Sequence, residues 1–188
     1  MTHGGTVEGA ELWFTSLKTA AKHTFVTSGE LQPHAFLLAR VHPETKKRLS
    51  RPEPFAVLVN FDTFNSHVRT AFINLVRLQA RALDAVGVAF LQEMWGTWDM
   101  EPELQARAAA HVEAGGSLED FEERREYVTV IIEHGCVGQR VYYARIERDD
   151  DGVSLGEWER LTGNIWGGKL MNVLPPSAYG ATGPVGHA

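Results

Sequence analysis

Three side chains at the ends of two apolar runs make the strongest case for chemistry. Glu93 lies near the end of VAFLQEMW (88–95), and Glu133 with His134 closes YVTVIIEH (127–134). Two strand-end carboxylates and an imidazole could line one shared pocket and exchange protons there, as in a hydrolase-type site built from Glu93, Glu133 and His134. The competing reading pairs the same carboxylates with Arg124, Arg125 or Arg140, and structural ion pairs are the commoner use of such groups. Beside Glu93 stand Trp95 and Trp98, a residue type enriched where proteins bind one another.

Other motifs lack a required part. GNIWGGK (163–169) fits the spacing of a phosphate loop, but Leu170 follows where a magnesium-binding hydroxyl belongs, and Pro175-Pro176 stops any long helix behind it. The acidic turn starting at Glu147 fits the first positions of a calcium loop, yet Trp158 stands where the bidentate glutamate is needed. Asp62 and Glu93 could serve a metal-dependent nuclease, but Trp95 occupies the place of its lysine. None of the eight histidines is paired at the spacing of a helical metal site. Cys136 and His134, two residues apart in a hairpin, would point away from one another more often than act together. Neither metal nor cofactor is expected.

Charge bounds the partners. Eighteen Lys and Arg against 24 Asp and Glu give −6, the wrong sign for a general polyanion binder. Lys46, Lys47, Arg48 and Arg51 form a local exception that could touch phosphates, so a nucleic-acid accessory role ranks third. A lone cysteine excludes intramolecular disulfides and thiolate clusters. Neither a signal peptide nor an apolar run of ~18–20 residues is evident, so a cytoplasmic protein without membrane contact is expected.

These residues need elements to position them. Leu12, Trp13, Leu17, Ala20, Ala21 and Phe25 recur at helical spacing, and Ser28-Gly29 supplies the stop. The runs at 35–42 and 55–61 read as strands separated by an exposed loop. Val68, Phe72, Leu75, Val76 and Leu83 mark a long amphipathic helix over 66–85, followed by a strand over 88–98. Strand, helix, strand predicts a parallel crossover pair. Surface helix is expected within 101–125, then a hairpin of 127–134 with 140–148. The last residues, rich in Pro, Gly and Ala, read as a tail.

Four segments, GELQPHAFLL (29–38), FLQEMW (90–95), EERREYVTVIIEH (122–134) and RIERDDDGVSLGEWE (145–159), together resemble a family of small α+β proteins of bacteriophage and bacterial genomes that has no assigned function. The chain departs from that family by extra length between 99 and 121. The resemblance implies one compact α+β unit in a phage or mobile-element setting, located in the host cytoplasm or the virion, and it transfers no active-site residue.

The combined expectation is a single α+β domain over 1–160 with a Gly/Pro-rich tail at 161–188. It is a two-layer fold: a mixed sheet of about five strands, the 66–85 helix on one face, and the N-terminal helix at an edge or on the other face. The leading function is a non-enzymatic protein-binding or assembly protein that contacts a protein partner, or itself, through Trp95 and Trp98. The hydrolase pocket is the alternative.

Overall fold

The computed structural model describes residues 6–57, 66–149, 152–161 and 173–182. Asp62, Asp150, Asp151 and the 163–169 loop lie outside the described residues.

Helix α1 (Val7–Ser28) starts where the Thr6 side chain accepts the Gly9 N–H at 3.1 Å. It ends at Gly29, whose φ of 75° lets its N–H reach back to the Phe25 carbonyl. Strands β1 (His34–Val41) and β2 (Arg48–Val57) form a hairpin. Helix α2 (Ser66–Ala82) precedes β3 (Ala85–Gly96). A short helix α3 (Pro102–Glu113), with proline in its first turn, leads to a 3-10 turn at Leu118–Asp120 that Ser117 caps. Then β4 (Arg125–His134) and β5 (Gly138–Asp149) pair, followed by β6 (Gly152–Leu155), β7 (Glu159–Arg160) and a 3-10 helix (Pro176–Thr182).

The fold is α+β, with two corrections to the expected architecture. First, the sheet is antiparallel instead of mixed, and it has seven strands among the described residues, in the order β2-β1-β3-β4-β5-β6 with β7 also on β5. β2 and β3 do run parallel, but β1 lies between them and opposes both, so the crossover through α2 spans one intervening strand.

Second, there are three layers. Ala10, Trp13, Phe14, Leu17, Ala21 and Phe25 of α1 pack on one face of the sheet, against Leu91, Val128, Val130 and Ile132. Phe72, Ile73, Val76 and Ala80 of α2 pack on the other, against Leu37, Val88, Phe90 and Ile131. The central strands explain this: β3 is buried at every residue from Ala85 to Leu91, and β4 from Tyr127 to His134. A strand covered on both faces reads as a continuous apolar run. α2 is shorter than expected, at 17 residues, and α1 is longer, at 22.

The tail also differs from expectation. Val173, Leu174 and Ala178 are buried within the α2-side core, so residues 173–182 belong to the folded unit. The 161–188 boundary placed them outside it because proline and glycine carry no periodic signal.

Candidate functional site

The proposed pocket residues do not converge. Glu93 pairs in register with Val128, and Glu133 with Val88. Register partners share a face, so Glu93 lies on the α1 side, with Val128 and Leu91, while Glu133 lies on the α2 side, with Val88 and Ile131. His134, next along β4, returns to the α1 side.

Each of the three is held by bonds that organise the fold. Glu133, 2% exposed, accepts the Val173 N–H at 2.9 Å and the Tyr179 hydroxyl, fastening the C-terminal segment to the sheet. Burial, then the neighbouring Glu133 carboxylate, raises the Tyr179 pKa far above the ordinary phenol value. His134 is fully buried beside Trp13 and Phe14, with ring centroids 6.4 Å and 6.2 Å away. Its Nδ1 lies 3.1 Å from the Cys136 backbone N, a donor, so that ring nitrogen must be unprotonated. Glu93 accepts the Leu31 N–H and ties the end of the α1–β1 connection to the sheet. Burial raises the Glu93 pKa above 4.5, with Glu126 and Glu30 adding to the effect, while Leu31 and Arg148 oppose it.

The two tryptophans mark a different place. Trp95 and Trp98 sit at the same end of the sheet on opposite faces. Trp98 packs on Tyr127 and Tyr143, with centroids 4.9 Å and 5.3 Å away, over the α2-side surface. Tyr143 donates to Glu159 at 2.8 Å, and burial followed by that bond pushes its pKa up to about 12. Trp95, half-buried, lines an open recess of about 370 Å³ with Glu122, Arg124, Arg125, Glu126, Arg145, Ile146 and Arg148.

The four arginines of the recess are not equivalent. Arg125 pairs with Asp99 at 2.8 Å, and Arg148 with Glu126 at 2.8 Å. Arg124 lies over the Trp95 ring at 4.5 Å, a cation–π contact that holds its planar group in place. Its Nε is buried without a hydrogen-bond partner among the described residues. Arg145 is exposed, and no carboxylate of the described residues forms an ion pair with it or with Arg124. At the base of this end, Asp99 accepts the Tyr127 hydroxyl as well as Arg125. Burial alone would raise the Asp99 pKa, but these two partners, helped by the nearby Arg145 charge, outweigh it and hold the group below 3.8.

The basic candidates lie elsewhere. Lys46 and Lys47 occupy the β1–β2 turn, where Lys46 has a φ of 55°. Arg48 reaches Asp84 at 3.5 Å, an anion it shares with Arg40, and Arg51 is exposed on β2. β1 and β3 separate these residues from β4 and β5.

Sequence reasoning named Trp95 but not the arginines around it as a group. Only register brings them to one end of the sheet, where Arg125 stands opposite Gly96 of β3 and Arg145 opposite Tyr127 of β4. The Glu133 clasp was missed as well. Its signal was a single carboxylate inside an otherwise apolar strand.

Among the described residues no cluster of His, Cys, Asp or Glu is arranged to hold a metal ion, and no helix is long and apolar enough to cross a membrane. Comparison of the chain with protein-family models, curated proteins and solved structures finds no match.

Proposed function

We propose that this chain is a non-enzymatic protein-binding or assembly protein whose contact surface is the Trp95 end of the sheet. The observation that carries this reading is the half-buried Trp95, with Arg124 stacked on it, in the wall of an open recess. A large rigid ring beside an ordered guanidinium is the kind of anchor that concentrates binding energy at protein interfaces. Glu93, Glu133 and His134 support the same reading, since each serves the fold at a separate place. The family resemblance extends the proposal to an accessory protein of phage or mobile-element origin, acting in the host cytoplasm or the virion.

The test is a photo-crosslinking residue placed at Arg145, with a control placed at exposed Glu103 on α3. The expected result is one discrete protein adduct, hetero or homo, from position 145 and none from 103. Equal labelling from both positions, together with a clean monomer by light scattering, would overturn the proposal.

A further inference from the structure

We infer that the corner where the β1–β2 turn meets the end of α2 binds double-stranded nucleic acid through its phosphates, without reading sequence. This surface is separate from the Trp95 end, and the inference does not depend on the protein contact proposed there.

Charge is divided unevenly along the chain. Residues 34–84 hold eight Lys and Arg against four Asp and Glu, while residues 85–160 hold seven against seventeen. The fold gathers cations of the first stretch at one corner. The backbone N–H groups of Arg40 and Val41 donate to the Leu83 carbonyl at 3.2 Å and 3.0 Å, joining the end of β1 to the residues just after α2. Arg40 and Arg48 then share one carboxylate, Asp84, at 3.5 Å each. Arg81 stands in the last turn of α2, and Lys46 and Lys47 in the β1–β2 turn. These three and Arg51 on β2 are exposed and form no ion pair among the described residues. Glu44 and Glu53 are the carboxylates of the hairpin itself, so six cations there meet three anions with Asp84 included.

Lys46 is an independent pointer. Its φ of 55° is a backbone conformation in which a Cβ is costly and glycine is not. The turn is held without its side chain: His42 N–H donates to the Lys47 carbonyl and Lys46 N–H to the His42 carbonyl, each at 3.0 Å. The His42 Nδ1 also accepts the Glu44 and Thr45 N–H groups. A glycine would suit this turn better, so what Lys46 adds is a charge displayed on a rigid support.

The surroundings select the ligand. The exposed large hydrophobic side chains of the described residues are Val7, Leu12, Val26, Leu78 and Val112, none of them on the hairpin, so it offers no apolar anchor to a folded protein. His42 and Phe55 are half-buried edge to face, with centroids 5.5 Å apart, and give unpaired bases no open ring to stack on. A duplex carries about one charge per 1.7 Å of its axis, against about one per 3.3–3.6 Å for the most acidic extended peptide. Scattered cations without a pocket therefore gain most from a duplex. The net charge of −6 does not oppose this. Seven carboxylates between 101 and 123 follow the far end of β3, whose 12 residues span about 40 Å. Screening in physiological salt acts over about 8 Å, so phosphates at the corner meet the cations and not the acidic end.

The experiment uses the full chain and a short fluorescein-labelled DNA duplex of mixed sequence, read by fluorescence anisotropy between about 50 and 200 mM salt. Phosphate contacts from Lys46, Lys47, Arg51 and Arg81 predict a slope of log Kobs against log salt of about −3 to −4, a loss of about 100-fold across that range. Lys46→Gly combined with Lys47→Gln should flatten the slope by about 2 and weaken binding by about tenfold or more at the lower salt. Lys22→Gln combined with Arg160→Gln removes the same charge from exposed positions elsewhere and should change neither. Thermal melts verify that every variant is folded, with Lys46→Gly expected at or above the native midpoint. An unlabelled duplex of another sequence should compete as well as the labelled one, while a single strand or polyglutamate of equal charge should compete less.

No binding at the lower salt, an affinity independent of salt, or equal losses in the charge-matched control overturns the inference. Polyglutamate competing as well as the duplex overturns it in favour of an acidic protein, and a tighter-binding single strand in favour of unpaired nucleic acid.

Discussion

The hydroxyl of Tyr179 donates to the carboxylate of Glu133, 46 residues earlier in the chain, and the Val173 N–H donates to the same carboxylate. A charge that is 2% exposed is tolerable only while such donors surround it. Tyr179→Phe removes one donor and should lower stability by about 1.5–3 kcal/mol, the range for hydrogen bonds to charged groups. Glu133→Leu strands both donors and should loosen 173–182 further. Urea unfolding measures the first effect, and limited proteolysis within 173–182 the second. A Tyr179→Phe variant with the native midpoint would refute the clasp.

Gly135 tests the same contact from the backbone side. A Cβ there would overlap the carbonyl of Ala178, and a backbone atom cannot swing away as a side chain can. Gly135→Ala should cost about 1–3 kcal/mol through overpacking. It should also open 173–182 to protease as Tyr179→Phe does. Because both changes release one segment, the double variant should lose less than the sum of the singles. Strict additivity would show that the two contacts act independently.

Glu93 predicts an unusual pH response. Burial, its first cause, raises its folded pKa above 4.5, so the folded chain holds that proton more tightly than the unfolded chain. Its contribution is therefore fully present below 4.5 and is lost as pH rises through the folded value. Glu93→Gln keeps an acceptor for the Leu31 N–H and never ionises. It should be more stable than the native chain at pH 7, with the advantage vanishing below pH 4.5. An equal stability difference at both pH values would contradict this.

What could be read from residues alone, and what could not, follows from the physics of strands. The α1 stripe of Trp13, Leu17, Ala21 and Phe25 is visible because helical spacing is local, as is the alternation of Ala89, Leu91, Glu93 and Trp95 within β3. Register between strands is not local. Nothing in the sequence aligns Glu93 with Val128 or Ala35 with Phe90, and those pairings decide which face each carboxylate shares. Glu93 and Glu133 therefore looked like pocket partners and are on opposite faces. The arginines of the recess were hidden for the same reason. Val173, Leu174 and Ala178 were hidden for another: their burial depends on a distant acceptor, Glu133, and not on any periodicity of their own.

Asp99 should respond to pH in the opposite sense to Glu93. Burial pushes its pKa up, but Tyr127 and Arg125 more than offset this, so its folded pKa lies below 3.8. Its contribution is present above 3.8 and is lost as pH falls through the folded value. Asp99→Asn should cost about 1 kcal/mol at pH 7, given a partly exposed ion pair and one hydrogen bond to a charge. The deficit should shrink only as pH falls below 3.8 and through the lowered folded value, where the native side chain takes up its proton and is neutral too. Denaturant midpoints of both chains across this range provide the check, and a constant deficit would count against the assignment.

The outer strand β2 makes the last prediction. Among the described residues it pairs only with β1, leaving its other edge open. An open edge is a template for a second chain, and proteins blunt such edges with proline and charge. β2 carries Pro52 and Pro54 beside Arg48, Arg51 and Glu53. Pro54 pairs in register with Leu38 and is exposed, and proline is tolerated inside a strand where its missing N–H would face the open edge. Pro54→Thr restores that donor with a residue suited to strands. It should produce concentration-dependent association by light scattering beyond any shown by the native chain. Pairing through β2 does not involve the recess, so adding Arg145→Glu should leave that association unchanged. A Pro54→Thr chain matching the native mass at every concentration would show that the charges, and not the proline, protect this edge.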